Sequence, residues 1–265
     1  MVRRMKWIAM IAAAALCVGM IGCGKKETSE SENTPSAETS AEAEKKDEQP
    51  DINPQAREAY AAALNAIFSQ NIWPDGEEID EEYTSYNVGD LSENKFAVCD
   101  VDNDGEDELI LHVTTATMAG MFESIYAYDP DNGNIVEEFS EFPDITYYDN
   151  GILKANWSHN QGYGMELWPF SLYRYDKTSD TYLYKGSVDS WEKEVYSDGF
   201  PSAYDTDGDG IVYLLYEGTN DTNGTSKTVD GDAYQQWVNS YLNGAKEIEI
   251  NWISLESQNI ASILQ

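Results

Sequence analysis

FAVCDVDNDGEDELIL (residues 96–111) predicts a β-strand, a nine-residue acidic loop and a second β-strand. The apolar runs at its two ends suit neighbouring antiparallel strands, and Gly105 permits a sharp turn between them. In loops of this spacing, the side chains at positions 1, 3, 5 and 9 and the main-chain carbonyl at position 7 converge on one hard cation. Here the side-chain positions are Asp100, Asp102, Asp104 and Glu108, and the carbonyl belongs to Glu106.

The charge of this acidic loop favours a bound metal ion. Four carboxylates held so close repel one another unless a divalent cation neutralises them. Oxygen-only ligation in a flexible loop favours Ca²⁺ over Zn²⁺ and Mg²⁺. We therefore predict one structural calcium ion that holds this hairpin against the N-terminal helix. The alternative is an acidic turn that binds no ion.

A second loop repeats the first half of this pattern with Asp205, Asp207, Asp209 and Gly210. Tyr213 stands at its position 9, where a carboxylate is needed. A structural turn is therefore the preferred interpretation of the second loop, and a second calcium ion is the alternative.

Short runs with a period of two residues predict antiparallel hairpins along the middle of the chain. They lie at 96–99, 109–113, 124–128, 152–157, 172–175, 181–185, 212–216 and 248–252. Ser124–Asp129 recurs as Ser171–Asp176, an offset of 47 residues, which is the size of a propeller blade. Only two such units are convincing, so we expect blade-like meanders and no closed propeller.

Helical spacing of apolar residues predicts three helices around these hairpins. The first begins at Asn53 and Pro54, an N-cap and a first-turn proline. The second follows Tyr234 and is stopped by Gly244, and a short closing helix lies between Leu255 and Leu264. The predicted fold over residues 51–265 is therefore a single α+β domain, mainly antiparallel hairpins with one N-terminal and two C-terminal helices.

The N-terminal residues match a bacterial lipoprotein signal. Arg3, Arg4 and Lys6 precede an apolar run over residues 7–21, and Gly22 then precedes Cys23. We expect residues 1–22 to be removed, Cys23 to be lipidated, and residues 23–50 to form a disordered acidic tether on the extracytoplasmic face of the cell membrane. A plain secretory signal or an N-terminal membrane helix is the alternative.

The overall composition limits the partners and the chemistry. A formal net charge of −33 excludes nucleic acid and predicts a well-solvated monomer, or a protein that binds cations. Cys99 has no partner for an intrachain disulfide. The chain has only two histidines, and it lacks the metalloprotease, serine-hydrolase and phosphate-loop motifs. These observations favour a binding module over an enzyme.

A glycine-broken stretch over residues 157–168 is a candidate ligand site. It offers aromatic faces and polar groups for a sugar through Trp157, His159, Gln161, Glu166 and Trp168. The alternative, which is the interpretation we prefer, is that the two tryptophans fill the core and that His159 satisfies a buried turn.

The first acidic loop and its strands resemble the calcium-binding loops of FG-GAP (integrin-type) repeats. Over most of residues 54–264, including YDNG (148–151), WSHNQG (157–162) and Trp168-Pro169, the chain also resembles calcium-loop lipoproteins of Gram-positive bacteria. The second resemblance implies the fold and a location at the cell surface, and it implies no activity. Together these features predict a lipid-anchored, calcium-stabilised binding or surface module with a cell-wall or glycan ligand; the alternative is a surface glycan hydrolase with a carboxylate pair.

The lipid anchor is testable in the producing cell. We expect a fatty-acid probe to label the wild-type protein and not Cys23→Ala, because acylation requires the Cys23 thiol. Cys17→Ala serves as the matched control, since the bulky Leu16 before it does not suit processing, and it should label like the wild type. Equal labelling of the Cys23→Ala protein would exclude this anchor.

Overall fold

The computed structural model describes residues 53–79, 90–116, 118–218 and 225–264. The predicted signal peptide, Cys23 and the tether lie outside these ranges. The described elements are α1 (Pro54–Gln70), β1 (Lys95–Cys99), β2 (Glu108–Val113), β3 (Phe122–Asp129), β4 (Asn134–Glu141), β5 (Ile145–Tyr148), β6 (Ile152–Asn156), β7 (Phe170–Asp176), β8 (Thr181–Glu192), β9 (Ile211–Glu217), β10 (Thr225–Val229), α2 (Gly231–Leu242), β11 (Ile253–Ser254) and α3 (Ser257–Ile260). Three short 3₁₀ turns occupy Leu91–Glu93, Met118–Gly120 and Ala261–Leu264.

The strands form two open antiparallel sheets. The order of the first sheet is β11-β1-β2-β3-β4, and that of the second is β10-β9-β8-β7-β6-β5. Neither sheet closes into a barrel or a propeller. The predicted α+β class, with hairpins in place of a closed propeller and with its three helices, is therefore confirmed.

Alternating side chains sort the core into three apolar layers. In the first sheet, Phe96, Leu109 and Leu111 face α1 and α3, whereas Ala97 and Ile110 face the second sheet. The second sheet sends another set of alternate residues toward α2, among them Ile152, Leu172, Val188 and Leu215. Because alternate residues of a strand face opposite sides of its sheet, each sheet packs against helices on one side and against the other sheet on its second side. The result is four layers in the order helix, sheet, sheet and helix.

The helix ends follow the sequence signals. The Asn53 side chain accepts a hydrogen bond from the Gln55 amide at the start of α1, where Pro54 is the first helical residue. At its end, α2 stops at Asn243 in the left-handed region, one residue before Gly244. None of the helices in the described ranges combines the length and the hydrophobicity that a membrane span requires.

The internal sequence repeat corresponds to a repeated β-bulge. The register of β3 and β4 shifts between Ile125 and Tyr126, and the register of β7 and β8 shifts at the equivalent point, between Leu172 and Tyr173. The extra residues are Glu138 in β4 and Lys185 in β8, which are again 47 positions apart. Each bulge changes the face that its strand turns toward the core.

Two parts of the strand prediction need correction. Residues 248–252 do not form the expected last strand, and only Ile253–Ser254 pairs with β1. The alternating apolar residues of this segment pack partly buried beside the inter-sheet core without a strand ladder, namely Ile248, Ile250 and Trp252. Strands β4, β5 and β10 were not predicted, and in β4 the bulge and the glutamates obscure the period of two.

Candidate metal centre

The first acidic loop turns its carboxylates inward through hydrogen bonds to its own backbone. Asp100 accepts from the amides of Asn103 at 2.7 Å and Gly105 at 3.2 Å. Asp102 accepts from the Asp104 amide at 2.9 Å, and Asp104 accepts from the Glu106 amide at 2.8 Å. Gly105 has a φ of 102°, a conformation that favours glycine. The loop is therefore held by the residues that define its sequence pattern.

Three of the four predicted side-chain ligands converge. Carboxylate oxygens of Asp100, Asp102 and Glu108 all lie within 4.8 Å of one another. Glu108 accepts a hydrogen bond from the Val101 amide at 2.9 Å and is only 2 % exposed, and Asp102 is 3 % exposed. Asp104 lies outside this group, and its other oxygen accepts from the Tyr175 hydroxyl at 3.4 Å.

The converging carboxylates have no basic partner. No lysine or arginine in the described ranges forms an ion pair with Asp100, Asp102 or Glu108. Burial, reinforced by the charge of Asp104, raises the pKa of Asp102 to about 7. Burial and the charge of Asp102 raise the pKa of Glu108 to about 10. The charged forms of both groups therefore need a proton or a cation for neutralisation.

Glu138, which the sequence analysis missed, lies beside this loop. It is the bulge residue of β4, and it is 5 % exposed although neither of its carboxylate oxygens has a hydrogen-bond partner. Burial and the charges of Asp102 and Asp180 raise its pKa to about 9. One oxygen of Asp102 is also buried without a partner. The 47-residue repeat was the only sequence signal for this bulge.

A cavity of about 180 Å³ connects the loop to its neighbours. Its lining includes Tyr60 from α1, Glu108, Glu138 and Asp180. The Tyr60 hydroxyl donates to the Asp107 carbonyl at 2.8 Å, so α1 does contact the acidic hairpin as the sequence analysis expected. From the second sheet, a Cβ placed on Gly151 would lie 3.1 Å from the Asp102 carbonyl, so this close approach requires glycine.

The second acidic loop repeats three of the four internal hydrogen bonds of the first, including the one from the Ile211 amide to Asp209 at 2.7 Å. Asp205 accepts from the Gly210 amide at 3.3 Å, and Asp207 accepts from the Asp209 amide at 3.0 Å. Asp230, the N-cap of α2, replaces the missing carboxylate, since it accepts from the Thr206 amide at 2.8 Å as Glu108 does from Val101.

Four carboxylates thus converge at the second loop, from Asp205, Asp207, Asp209 and Asp230. They converge although the residue at position 9 of this loop is not acidic. Tyr213 at that position instead stacks on Tyr234, with ring centroids 4.2 Å apart. Asp207 and Asp209 are exposed, in contrast to the buried acids of the first loop.

The candidate ligand stretch lies at the surface. Trp157 is half-buried and donates from its indole to the Ser171 hydroxyl at 2.9 Å, while Trp168 is 46 % exposed and donates to the Trp157 carbonyl at 2.6 Å. His159 is exposed and contacts the Ser158 hydroxyl at 3.0 Å. The alternative, in which both tryptophans fill the core and His159 satisfies a buried turn, is therefore wrong.

Only part of this stretch shares a cavity. A space of about 190 Å³ is lined by Trp157, His159, Ser171, Tyr173 and Glu141, among others. Trp168, Gln161 and Glu166 are exposed but do not line it. The Tyr173 hydroxyl donates to Glu141 at 2.8 Å, so the one carboxylate of the lining already has a partner.

Folding raises the pKa values of carboxyl groups in the first loop. Their contribution to the stability of the folded protein therefore falls as the pH rises, which is the opposite of ordinary acid unfolding. A group whose pKa is raised by folding stabilises the native state below its unfolded pKa, and this contribution is lost as the pH rises through the folded pKa. For metal-free protein we expect the melting temperature to fall from about pH 5 to about pH 9 more steeply than that of Glu108→Gln, which lacks the titrating group. Parallel curves for the two proteins would contradict this assignment.

No protein-family model matches the sequence, and no curated protein and no solved structure is similar to it. Its function must therefore be inferred from the geometry of the acidic loops and of the aromatic cavity.

Proposed function

We propose that this protein is a lipid-anchored, extracytoplasmic binding module whose fold is stabilised by calcium at the first acidic loop. The observation that carries the proposal is the convergence of Asp100, Asp102 and Glu108, with the latter two almost fully buried. The lipid anchor and the surface address rest on the sequence around Cys23 alone.

Calcium suits the chemistry of this loop. Buried ionised carboxylates are strongly unfavourable unless they are paired or bind a metal. In the described ranges no basic side chain forms an ion pair with these groups, and Lys177 donates to the Asn103 carbonyl of the loop at 3.1 Å instead. The donors are all oxygen atoms in an irregular arrangement, which Ca²⁺ accepts more readily than Mg²⁺. A cation here would neutralise the loop where it contacts α1 and the second sheet.

The stretch around Trp157 supports a ligand-binding face as a second part of the proposal. A half-buried indole, the exposed His159 and the Tyr173 ring surround one small cavity, the combination of apolar faces and polar groups that a sugar ring requires. The cavity of about 190 Å³ is smaller than the roughly 300–1,000 Å³ of typical small-molecule pockets, so it encloses only part of a ligand.

The alternative proposal, a glycan hydrolase, needs two carboxylates across one cleft. The cavity beside Trp157 is lined by one carboxylate, Glu141, which accepts a hydrogen bond from Tyr173. The binding module is therefore the proposal that this cavity favours.

Thermal melts of the purified protein test the calcium site. If the site has a dissociation constant of about 10⁻⁴ M, millimolar calcium is about ten times that constant and stabilises the fold by about 1.4 kcal/mol. We expect Asp102→Asn to remove most of this gain. Asp207→Asn, the same change at the same position of the second loop, should leave most of it. A reversed pattern would move the site to the second loop, and identical wild-type melts in calcium and in chelator would refute calcium binding.

A glycan and wall-fragment array tests the ligand face. We expect wild-type protein to bind at least one saccharide, and His159→Ala and Trp157→Ala to weaken that binding because they remove polar and aromatic contact from the cavity lining. Tyr204→Ala is the matched control, since Tyr204 is 51 % exposed and does not line the cavity. Equal losses in all three variants would show that the face around Trp157 is not the binding site.

A further inference from the structure

The bulge in β4 turns the Glu138 side chain into the protein interior, where regular alternation along the strand would not place it. Ile125 pairs with Phe139 and Tyr126 pairs with Glu137, so Glu138 has no partner residue across the ladder. As a result, two successive residues of β4, Glu138 and Phe139, are both buried. Bulges of this kind redirect a side chain and occur preferentially near functional sites.

The backbone at the bulge is fixed from the second sheet. The Thr181 hydroxyl donates to the Glu138 carbonyl at 2.8 Å. The Glu138 side chain is thereby held at the cavity that Glu108 also lines.

The side chain that interacts with this buried carboxylate is a second acid, Asp180, which supplies no compensating positive charge. Both oxygens of Glu138 and one oxygen of Asp102 lack a hydrogen-bond donor, and the buried Tyr182 hydroxyl nearby has no partner either. Unsatisfied buried acids are costly, and a protein retains them where a bound group completes their coordination. Glu138 lies outside the loop motif, so its position is independent of the loop's own geometry.

We propose that Glu138 is a further ligand of the cation at the first acidic loop, a proposal that rests on calcium binding there. Glu138 is not among the oxygens that lie within 4.8 Å of one another, so it reaches the ion from β4 by a side-chain rotation, while Asp102 and Glu108 bind the ion from the β1–β2 hairpin. The site is then not a self-contained loop, because it is complete only when β4 has paired in its bulged register.

Calcium is the cation that this enlarged set favours. A further carboxylate from a second strand raises the number of oxygen ligands toward the six to eight that Ca²⁺ takes, and ligand charge count sets the affinity of such sites. The cavity of about 180 Å³ that Glu108 and Glu138 both line leaves room for waters between these two carboxylates.

Calcium titration calorimetry on the purified full chain tests this ligand. We expect Glu138→Gln, which keeps the size of the side chain, to weaken calcium binding about tenfold or more. Asp131→Asn removes the same charge from the exposed β3–β4 turn and should change the affinity less than about twofold.

Europium luminescence distinguishes a ligand from a purely structural residue. Decay rates measured in H₂O and in D₂O count the waters on bound Eu³⁺, which substitutes for Ca²⁺. We expect Glu138→Ala to add about one water, since a lost ligand is replaced by solvent; if this variant does not fold, the Glu138→Gln titration decides. Wild-type protein that binds no calcium would refute the calcium proposal itself. Wild-type protein that binds, with an unchanged dissociation constant in Glu138→Gln, would refute only the role of Glu138.

Discussion

Burial of carboxylates between two sheets is the constraint around which this fold is arranged. Asp102, Glu108 and Glu138 are removed from water at the point where the first sheet, the second sheet and α1 meet. Low-polarity surroundings disfavour their charged forms, and no basic side chain of the described ranges compensates them. The Tyr60 contact and the close approach of Gly151 enclose this cluster. The charge of the cluster therefore affects the packing of α1, the first sheet and the second sheet.

The predictable part of the site is the part that is local in sequence. Asp100, Asp102 and Glu108 lie within nine residues, and the loop spacing alone predicts that they converge. Glu138 enters through a register shift, and Asp230 enters the second loop through the cap of a helix. Neither event leaves a periodic pattern in the chain. Residues 248–252 show the converse case, in which a period of two reflects one-sided burial without strand pairing.

The two bulged hairpins show how one unit can retain its shape and change its chemistry. The equivalent bulge positions hold a buried glutamate in one hairpin and a half-buried lysine, Lys185, in the other. The turns correspond too, since Asp180 adopts a φ of 51° where Gly133 has 69°. Side chains at a bulge are therefore free to diverge, because the backbone irregularity does not depend on them.

Open sheets leave strand edges that another molecule could extend. The outer strand β11 has two residues and β5 has four, which gives little length for pairing. At the other end of the first sheet, β4 exposes two glutamates, Glu137 and Glu141, and an approaching strand would meet this negative charge. Short and acidic borders of this kind disfavour edge-to-edge pairing with a neighbouring molecule, and β10, with five residues and Lys227, forms the remaining edge.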